Sequence, residues 1–297
     1  MRPRVGVVVI TRDRCPELMR TLSHLEALPE RPPVVVVDNA SGDGTADAVA
    51  RDHPGVGLIR APANLGAVGR NIGTEALTTP YVAFCDDDTW WEVGALDRAT
   101  RLLDAHPRLG AVTARLIVEP SGEEDPLTPE LRHSPVPGPG WLPGPALLGI
   151  LAGVSVLRVD AFRAAGGFSE RLWLGGEEEL LALDLASAGW WMCWDGHTVA
   201  HHEASAVRDP RRRRRQGMRN TLWTAWLRRP WRGALEHTRQ VLGSAPKDRA
   251  SAAAVAEALR GLPWVLRERR PVPPHVEEGL RLLSGPRKAS RARRYVG

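Results

Sequence analysis

Continuous apolar runs, each closed by polar or charged residues, constrain the fold of this chain more than any other feature. Val5-Gly6-Val7-Val8-Val9-Ile10, Val34-Val35-Val36-Val37 and Tyr81-Val82-Ala83-Phe84-Cys85 are apolar without alternation, and Gly57-Leu58-Ile59-Arg60 is a shorter candidate. A strand apolar on both sides is covered on both faces, as in a parallel sheet. Helical spacing fills the gaps: Pro16 to Leu28 (Leu18, Leu22, Leu25), a helix capped by Thr45 and reaching about His53, and one from Asn64-Leu65-Gly66 through Leu77. This alternation predicts an α/β fold with a parallel sheet and right-handed crossovers.

Ligands of such sheets sit beyond the carboxyl ends of the strands. Three polar clusters fall at such ends: Thr11-Arg12, Asp38 to Ser41, and Asp86-Asp87-Asp88. Though far apart in sequence, they are predicted to be close in space. The aspartate triple is the sharpest of them. Adjacent carboxylates at the end of a buried strand repel one another and are costly to desolvate. A divalent cation removes that cost, and Mn2+ or Mg2+, which take hard oxygen ligands, commonly share their shell with substrate phosphates. An acidic helix cap before Glu92 explains one aspartate, not three.

At 297 residues the chain suits one large α/β domain with a smaller appendage. Cys15, Cys85 and Cys193 lack metal spacing and read as reduced thiols of a cytoplasmic protein. Val5 to Ile10 is too short for a signal-peptide core, and Leu142 to Leu157 is broken by prolines and glycines, so no membrane span is expected. The net charge is +5, with five consecutive arginines at Arg211 to Arg215 and a basic tail, Arg287, Lys288, Arg291, Arg293 and Arg294. Such blocks favour anionic lipid, nucleic acid or acidic substrates, or are solvated faces.

Further along, Pro120 to Pro145 reads as a long loop, Ile150 to Val159 as a strand, and Gly166-Gly167-Phe168 as the end of a short helix. Glu177 to Ala188 is expected as a well-buried helix, with Trp190 to Trp194 and Thr198 to His201 extended. Met218 to Leu242 is predicted as one helix, Ser251 to Leu259 and Val276 to Leu283 as two more.

In their order, these motifs resemble the family 2 glycosyltransferases. The matching pieces are Val7 to Arg14, Val35 to Thr45, Asn64-Leu65-Gly66 with Arg70-Asn71, Asp86-Asp87-Asp88, Gly166 to Glu170, Gly176-Glu177-Glu178-Glu179, Gly189-Trp190 and His201-His202. They cover roughly residues 4 to 205. The resemblance implies a GT-A fold, a mostly parallel Rossmann-type sheet flanked by helices, over residues 1–205, with a basic, mostly helical region over 206–297. It also implies an inverting transferase that uses a nucleotide-diphosphate sugar, a UDP-sugar by family weight, with Mn2+ or Mg2+.

Carried onto this chain, the resemblance places Thr11, Arg12, Asp38, Asn39, Ser41, Asn64, Gly66, Arg70, Asn71, Asp86 and Asp87 around the nucleotide sugar. Asp38 accepts from a base N–H or ribose hydroxyl, or else is a turn residue bonding Ser41 and Gly42. Thr11 and Arg12 touch the nucleotide or cap the next helix. Arg70 meets a phosphate or one of the acidic residues. Asp86 faces the nucleoside, and Asp88 ligates the metal with His202 as its partner; the pattern His202-x-x-Ser205 favours His202 over His201.

The general base, which takes the acceptor's proton as it attacks the anomeric carbon, falls in Glu177-Glu178-Glu179. Alignment nominates Glu178, where the family usually has Asp; a one-residue shift nominates Glu177, and Leu180 replaces a later acidic residue. The structural alternative is an acidic first turn favoured by the helix dipole.

Of the 11 tryptophans, Trp90, Trp91 and Trp173 are the candidates to line the acceptor side, since indole faces stack on sugars. Met218 to Leu242 sets Leu222, Trp223, Trp226, Leu227 and Trp231 beside Arg219, Arg228, Arg229 and Arg232. It reads as a membrane-surface helix useful for a lipid-linked acceptor at the inner face of the membrane, or as a helix packed on the catalytic domain. A carbohydrate or small-molecule acceptor is equally open, and nucleic acid is an unlikely partner.

Two other functions compete. A nucleotidyltransferase needs a Gly-rich, lysine-bearing phosphate loop after the first strand, where this chain has Thr11-Arg12-Asp13-Arg14. A non-catalytic membrane- or RNA-binding module explains the arginines but leaves the aspartates without a purpose.

Overall fold

The computed structural model of the protein describes residues 3–203 and 210–290, excepting the side chains of 210–212 and 287–289. Ser205, Arg291, Arg293, Arg294 and the side chains of Arg211, Arg212, Arg287 and Lys288 lie outside the described residues.

The first half alternates as the apolar runs require. Strand β1 (Val5–Thr11) is followed by α1 (Cys15–Glu26), β2 (Val34–Asp38), α2 (Thr45–Asp52), β3 (Gly57–Arg60), a 3-10 turn (Gly66–Val68), α3 (Gly69–Glu75) and β4 (Tyr81–Asp86). Then come β5 (Thr89–Trp91), α4 (Ala95–Ala105), β6 (Leu109–Val118), β7 (Glu123–Glu124) and α5 (Thr128–Arg132). A second 3-10 turn (Ala152–Val154) leads into β8 (Ser155–Arg158), α6 (Val159–Ala164), α7 (Glu177–Ser187) and β9 (Trp191–His202).

The strands form one sheet in the order β3-β2-β1-β4-β8-β6-β9-β5, with β7 beside β6. β3, β2, β1 and β4 are mutually parallel; β8 is antiparallel to β4 and β6, and β9 is parallel to β6. Side chains alternate between two core clusters. Val8, Ile10, Val35, Val37, Val82 and Phe84 enter one, and Val7, Val9, Val34, Val36, Ala83 and Cys85 enter the other. Both faces are therefore dry, which is why these runs lack alternation.

Register fixes the site. Thr11 pairs with Asp38 across β1 and β2, and Ile10 pairs with Asp86 across β1 and β4. The three polar clusters therefore meet at one sheet edge, as predicted from their positions at strand ends.

Several local expectations are corrected. Thr45 does not cap α2; Gly44 occupies the cap at φ +84°, and Asp43 receives the Thr45 N–H at 3.0 Å. The expected strand from Ile150 begins only at Ser155, because the 3-10 turn intervenes. Within the expected loop, Pro120 to Pro145, the chain forms β7 and α5. Trp191 to His202 is a single strand with an irregularity in its pairing with β6 between Ala114 and Arg115, not two extended pieces.

The C-terminal region is helical: α8 (Pro210–Arg228), α9 (Trp231–Ser244), α10 (Arg249–Arg260), α11 (Leu262–Glu268) and α12 (Pro274–Ala289). The helix expected over Met218 to Leu242 is broken at Pro230, which has no N–H to continue the ladder and instead caps α9. The membrane-surface reading of its first half is also corrected. Leu222, Trp223, Trp226 and Leu227 are buried with Leu172, Leu180, Ala258 and Val265 in a third apolar cluster. The arginines beside them are paired: Arg228 with Asp184 at 2.5 Å, Arg229 with Glu277 at 2.7 Å, Arg219 with Glu257 at 3.6 Å. α8 is thus a packing helix between α7 and the last helices. Among the described residues no helix is long and apolar enough to cross a membrane.

Candidate active site

The aspartate triple forms a corner where β4 turns into β5. Asp87 and Asp88 are buried, while the Asp86 side chain keeps 45% of its surface. Such a cluster needs positive charge, and the sequence hides where it comes from. Arg14, just past β1, reaches Asp87 at 2.8 Å and Asp88 at 3.1 Å through one guanidinium nitrogen. Thr11 donates its hydroxyl to Asp87 at 2.9 Å, and the Thr21 hydroxyl donates to the Asp87 carbonyl at 2.9 Å. Burial nevertheless pushes the Asp87 carboxyl up to about 6, against the opposing pull of Arg14.

Arg70 is the second counter-charge. It is 3% exposed and lies over the Phe168 ring at 5.3 Å. Its Nη2 meets Asp86 at 2.5 Å, and its Nη1 approaches Glu177 at 3.9 Å. The strand-end carboxylates and the first turn of α7 therefore share one cation. Glu178, next on that turn, accepts the Ala152 N–H at 2.5 Å. Burial, and then the neighbouring Glu177 charge, push the Glu178 carboxyl up to about 7. Burial also raises Glu177, against Arg70. The Ala152–Val154 turn links these groups, because a side chain at Gly153 would sit 2.8 Å from the Asp86 carboxylate.

The other expected residues divide. Asp38 is buried and accepts the Ser41 N–H at 3.1 Å and the Ser41 hydroxyl, while the Gly42 N–H, expected on Asp38 in the turn alternative, goes to Asp13 at 2.7 Å. Arg12 is exposed, 3.2 Å from Asp13. Asn39 holds the Leu65 N–H (3.3 Å) and the Gly66 carbonyl (3.2 Å), and Asn64 accepts the Gly66 N–H at 3.0 Å. These bonds shape the loop before α3. Gly66 has φ +60°, and a Cβ there would lie 2.5 Å from the Trp173 carbonyl, so only glycine fits.

Asn71 clamps the chain at Phe168: its amide accepts the Phe168 N–H and donates to the Phe168 carbonyl, both at 2.9 Å. Asn71→Ala is expected to cost about 1–3 kcal/mol of stability by urea denaturation, with the two Phe168 groups left unpaired.

Trp91 is 1% exposed in the core, so it has no face for an acceptor. Trp90 points away from His202, because β-strand side chains alternate. It stacks between His24 (4.2 Å) and His201 (5.6 Å), and His201 in turn contacts Glu119 at 2.9 Å. Trp173 is half-buried at φ +62°, its indole N–H donating to the Asn64 carbonyl at 2.9 Å. Of the three, it alone lies beside the α3 and α7 ends of the site.

His202 comes from β9 and sets its Nε2 3.6 Å from Asp88 Oδ2. The residues that sequence reasoning missed are Arg14 and the Ala152-Gly153 turn. The signal for Arg14 was present: three aspartates at one strand end demand nearby cations, and two arginines, Arg12 and Arg14, follow β1. Nothing local marks Ala152, since it acts through its backbone.

Residues 6–162 match the family model of Glycosyl transferase family 2. The chain belongs to that family. This glycosyltransferase is 32% identical to the N-acetylglucosaminyl-diphospho-decaprenol L-rhamnosyltransferase of Mycobacterium tuberculosis (strain CDC 1551 / Oshkosh) over 243 residues, 69% of this chain and 78% of that protein. The mannosyltransferase PcManGT from Pyrobaculum calidifontis, solved in complex with GDP-Man and Mn2+, matches with TM-score 0.59 at 22% identity, over 96% of this chain and 76% of that one. S. aureus TarS 1-349 matches with TM-score 0.64 at 16% identity, over 98% and 89%. These two establish the GT-A fold.

A metal would draw on Asp88 and His202, and the pair suits one. Two donors about 2.1 Å from one ion stand about 3.0 Å apart at a right angle and further apart at wider angles, and the observed separation is 3.6 Å. Among the described residues no third His, Cys, Asp or Glu joins them. The rest of a metal shell would fall to substrate oxygens and water, as is usual where such ions bind phosphates.

Proposed function

We propose that this glycosyltransferase moves a sugar, with inversion, from a nucleotide-diphosphate sugar to an acceptor hydroxyl that Glu178 deprotonates. The catalytic part is assigned to residues 1–205, with 206–297 as a helical extension. A divalent ion, Mn2+ or Mg2+, would be held by Asp88 and His202 and would supply charge neutralisation to the departing diphosphate. Arg14, paired with both Asp87 and Asp88, offsets part of their mutual repulsion. Asp86, the most open of the three, faces the donor and is oriented by Arg70. The Ala152 N–H fixes one oxygen of Glu178, and the other takes the proton as the acceptor oxygen bonds to the anomeric carbon. The bond from that carbon to the diphosphate breaks, and its electron pair leaves with the nucleotide. Trp173 is assigned to the acceptor side.

The observation that supports this reading best is the Arg70 bridge, 2.5 Å from Asp86 and 3.9 Å from Glu177. It links the donor-side Asp86 to the first turn of α7, where the next residue, Glu178, has its carboxyl raised to about 7, and such a pairing suits base-assisted displacement. The glutamate in place of the family's aspartate reaches one methylene further, and the 3-10 turn at Ala152 receives that extra length.

For sugar and acceptor, the mycobacterial relative supplies the first candidates, a rhamnosyl group and a lipid-linked diphosphate sugar. Uridine is the first donor base to test, with thymidine and guanosine donors as competing arms. A thermal-shift panel of nucleotide sugars with and without Mn2+ is expected to give one donor series that stabilises the protein only with metal. Stabilisation that ignores EDTA would remove the metal from the proposal; no response to any donor would remove the donor site.

A further inference from the structure

Residues 210–297 contain 22 Lys and Arg against six Asp and Glu, whereas residues 1–209 contain 18 against 29. Positive charge is thus gathered in the helical region. Part of it is spent internally: Arg214 pairs with Asp248, Arg215 with Glu257, Arg228 with Asp184 and Arg229 with Glu277. Helix α9 is different. Its inner face is buried through Gly233 and Ala234, its Val241 packs on the third apolar cluster, and its Thr238 accepts the Trp226 indole N–H at 2.9 Å. Its outer face carries Trp231, Leu235 and Leu242, exposed by 49%, 51% and 47%.

At 100° per residue those three side chains fall within about 40° of one another, and Arg239 and Arg232 follow along one edge of the stripe. Both arginines are exposed. Arg269 adds a third guanidinium, stacked on the Trp231 ring at 3.8 Å. An apolar stripe edged by arginine and ended by tryptophan is the surface that a helix lying in the plane of a bilayer presents. A second copy of the chain fits poorly, since the same arginines would face each other. RNA would use the charge but gives Leu235 and Leu242 nothing to bury against.

We propose that α9 seats the protein on an anionic phospholipid surface, with Trp231, Leu235 and Leu242 entering the headgroup boundary and Arg232 and Arg239 meeting lipid phosphates. Of the residues expected from sequence on a membrane-surface helix, Leu222, Trp223, Trp226 and Leu227 are buried, whereas Trp231 and Arg232 remain on this exposed face. The proposal goes beyond the donor-site reading and needs neither metal nor turnover. Its consequence for an enzyme with a lipid-linked acceptor is that encounter occurs within the membrane plane.

The test is co-sedimentation of the full chain with phosphatidylglycerol/phosphatidylcholine vesicles and with pure phosphatidylcholine vesicles, at low and at physiological salt. Binding to the anionic vesicles is expected, weakening with salt. W231S/L235S/L242S is expected to bind them at least tenfold more weakly with unchanged circular dichroism and thermal midpoint. R232Q/R239Q is expected to lose about tenfold on anionic vesicles alone. No binding of the native protein to anionic vesicles overturns the proposal, as does equal binding by a folded triple variant. Should the triple variant misfold, equal binding by R232Q/R239Q overturns it. Binding to single-stranded RNA that survives the triple substitution, without vesicle binding, gives the charge to nucleic acid and overturns it too.

Discussion

Glu178→Gln is expected to lower transfer about a thousandfold at pH 8 while donor affinity stays within about twofold, the range seen when a general base is removed. Glutamine preserves the bond from Ala152 N–H but cannot take a proton. In the native protein the rate is expected to fall with pH through about 7, because burial and the Glu177 charge raise the Glu178 carboxyl to that value and only the ionised form is a base. Glu177→Gln removes part of the push and should move this limb to lower pH. Arg70→Met removes an opposing pull and should move it higher. A pH profile insensitive to both, or a Glu178→Gln enzyme at native rate, would dismiss Glu178 as the base, and loss of the rate in Glu177→Gln would nominate its neighbour.

The same carboxyl costs stability. Its folded value of about 7 lies above the ordinary 4.5, so its contribution is most favourable below the ordinary value and is lost as pH rises through about 7. Glutamine does not titrate. The gain in Tm of Glu178→Gln over the native protein is therefore expected to be larger at pH 8 than at pH 5. A base poised near neutrality and a fully relaxed fold are incompatible at this position, the usual conflict between activity and stability.

How far the chain could be read before its structure follows from where each kind of information sits. Val5 to Thr11 and Tyr81 to Asp86 announce themselves because a doubly covered strand has no polar face to disguise it. Their carboxyl ends were legible for the same reason: Thr11, Asp38 and Asp86 are the first polar residues after dry runs, and register then makes them neighbours. What stayed hidden depends on contacts distant in sequence. Arg14 lies 73 and 74 residues from its partners, Asn71 lies 97 residues from Phe168, and Trp91 looks like an acceptor platform until the sheet closes over it. The amphipathic look of Met218 to Arg228 misled because aromatic and basic side chains serve a packed helix as readily as a membrane one, once Asp184, Glu257 and Glu277 stand opposite the arginines. Period alone does not say what a face meets.

Asp88→Asn is expected to abolish transfer, by three orders of magnitude or more, and to remove metal-dependent nucleotide binding in calorimetry while the fold survives. The fold should survive because asparagine still offers Arg14 an acceptor in the position now 3.1 Å away. Metal binding should not, because an amide oxygen lacks the charge that makes a carboxylate a ligand for such ions. The electrostatics of the corner sharpen the expectation. Three carboxylates meet two guanidinium groups, Arg14 and Arg70, and Arg70 is shared with Glu177, so carboxylates outnumber guanidinium groups where a cation would bind. Asparagine at 88 removes one of those negative charges, and a diphosphate loses its bridge. It also relieves Asp87, whose carboxyl is raised in part by the Asp88 charge, so the loss cannot be assigned to a weakened Asp87. His202→Ala is expected to weaken metal binding less than Asp88→Asn, since it keeps the carboxylate charge. Full activity of Asp88→Asn, or of the native protein in EDTA, would remove the metal from the proposal and shift charge neutralisation of the departing diphosphate to side chains such as Arg14 and Arg70.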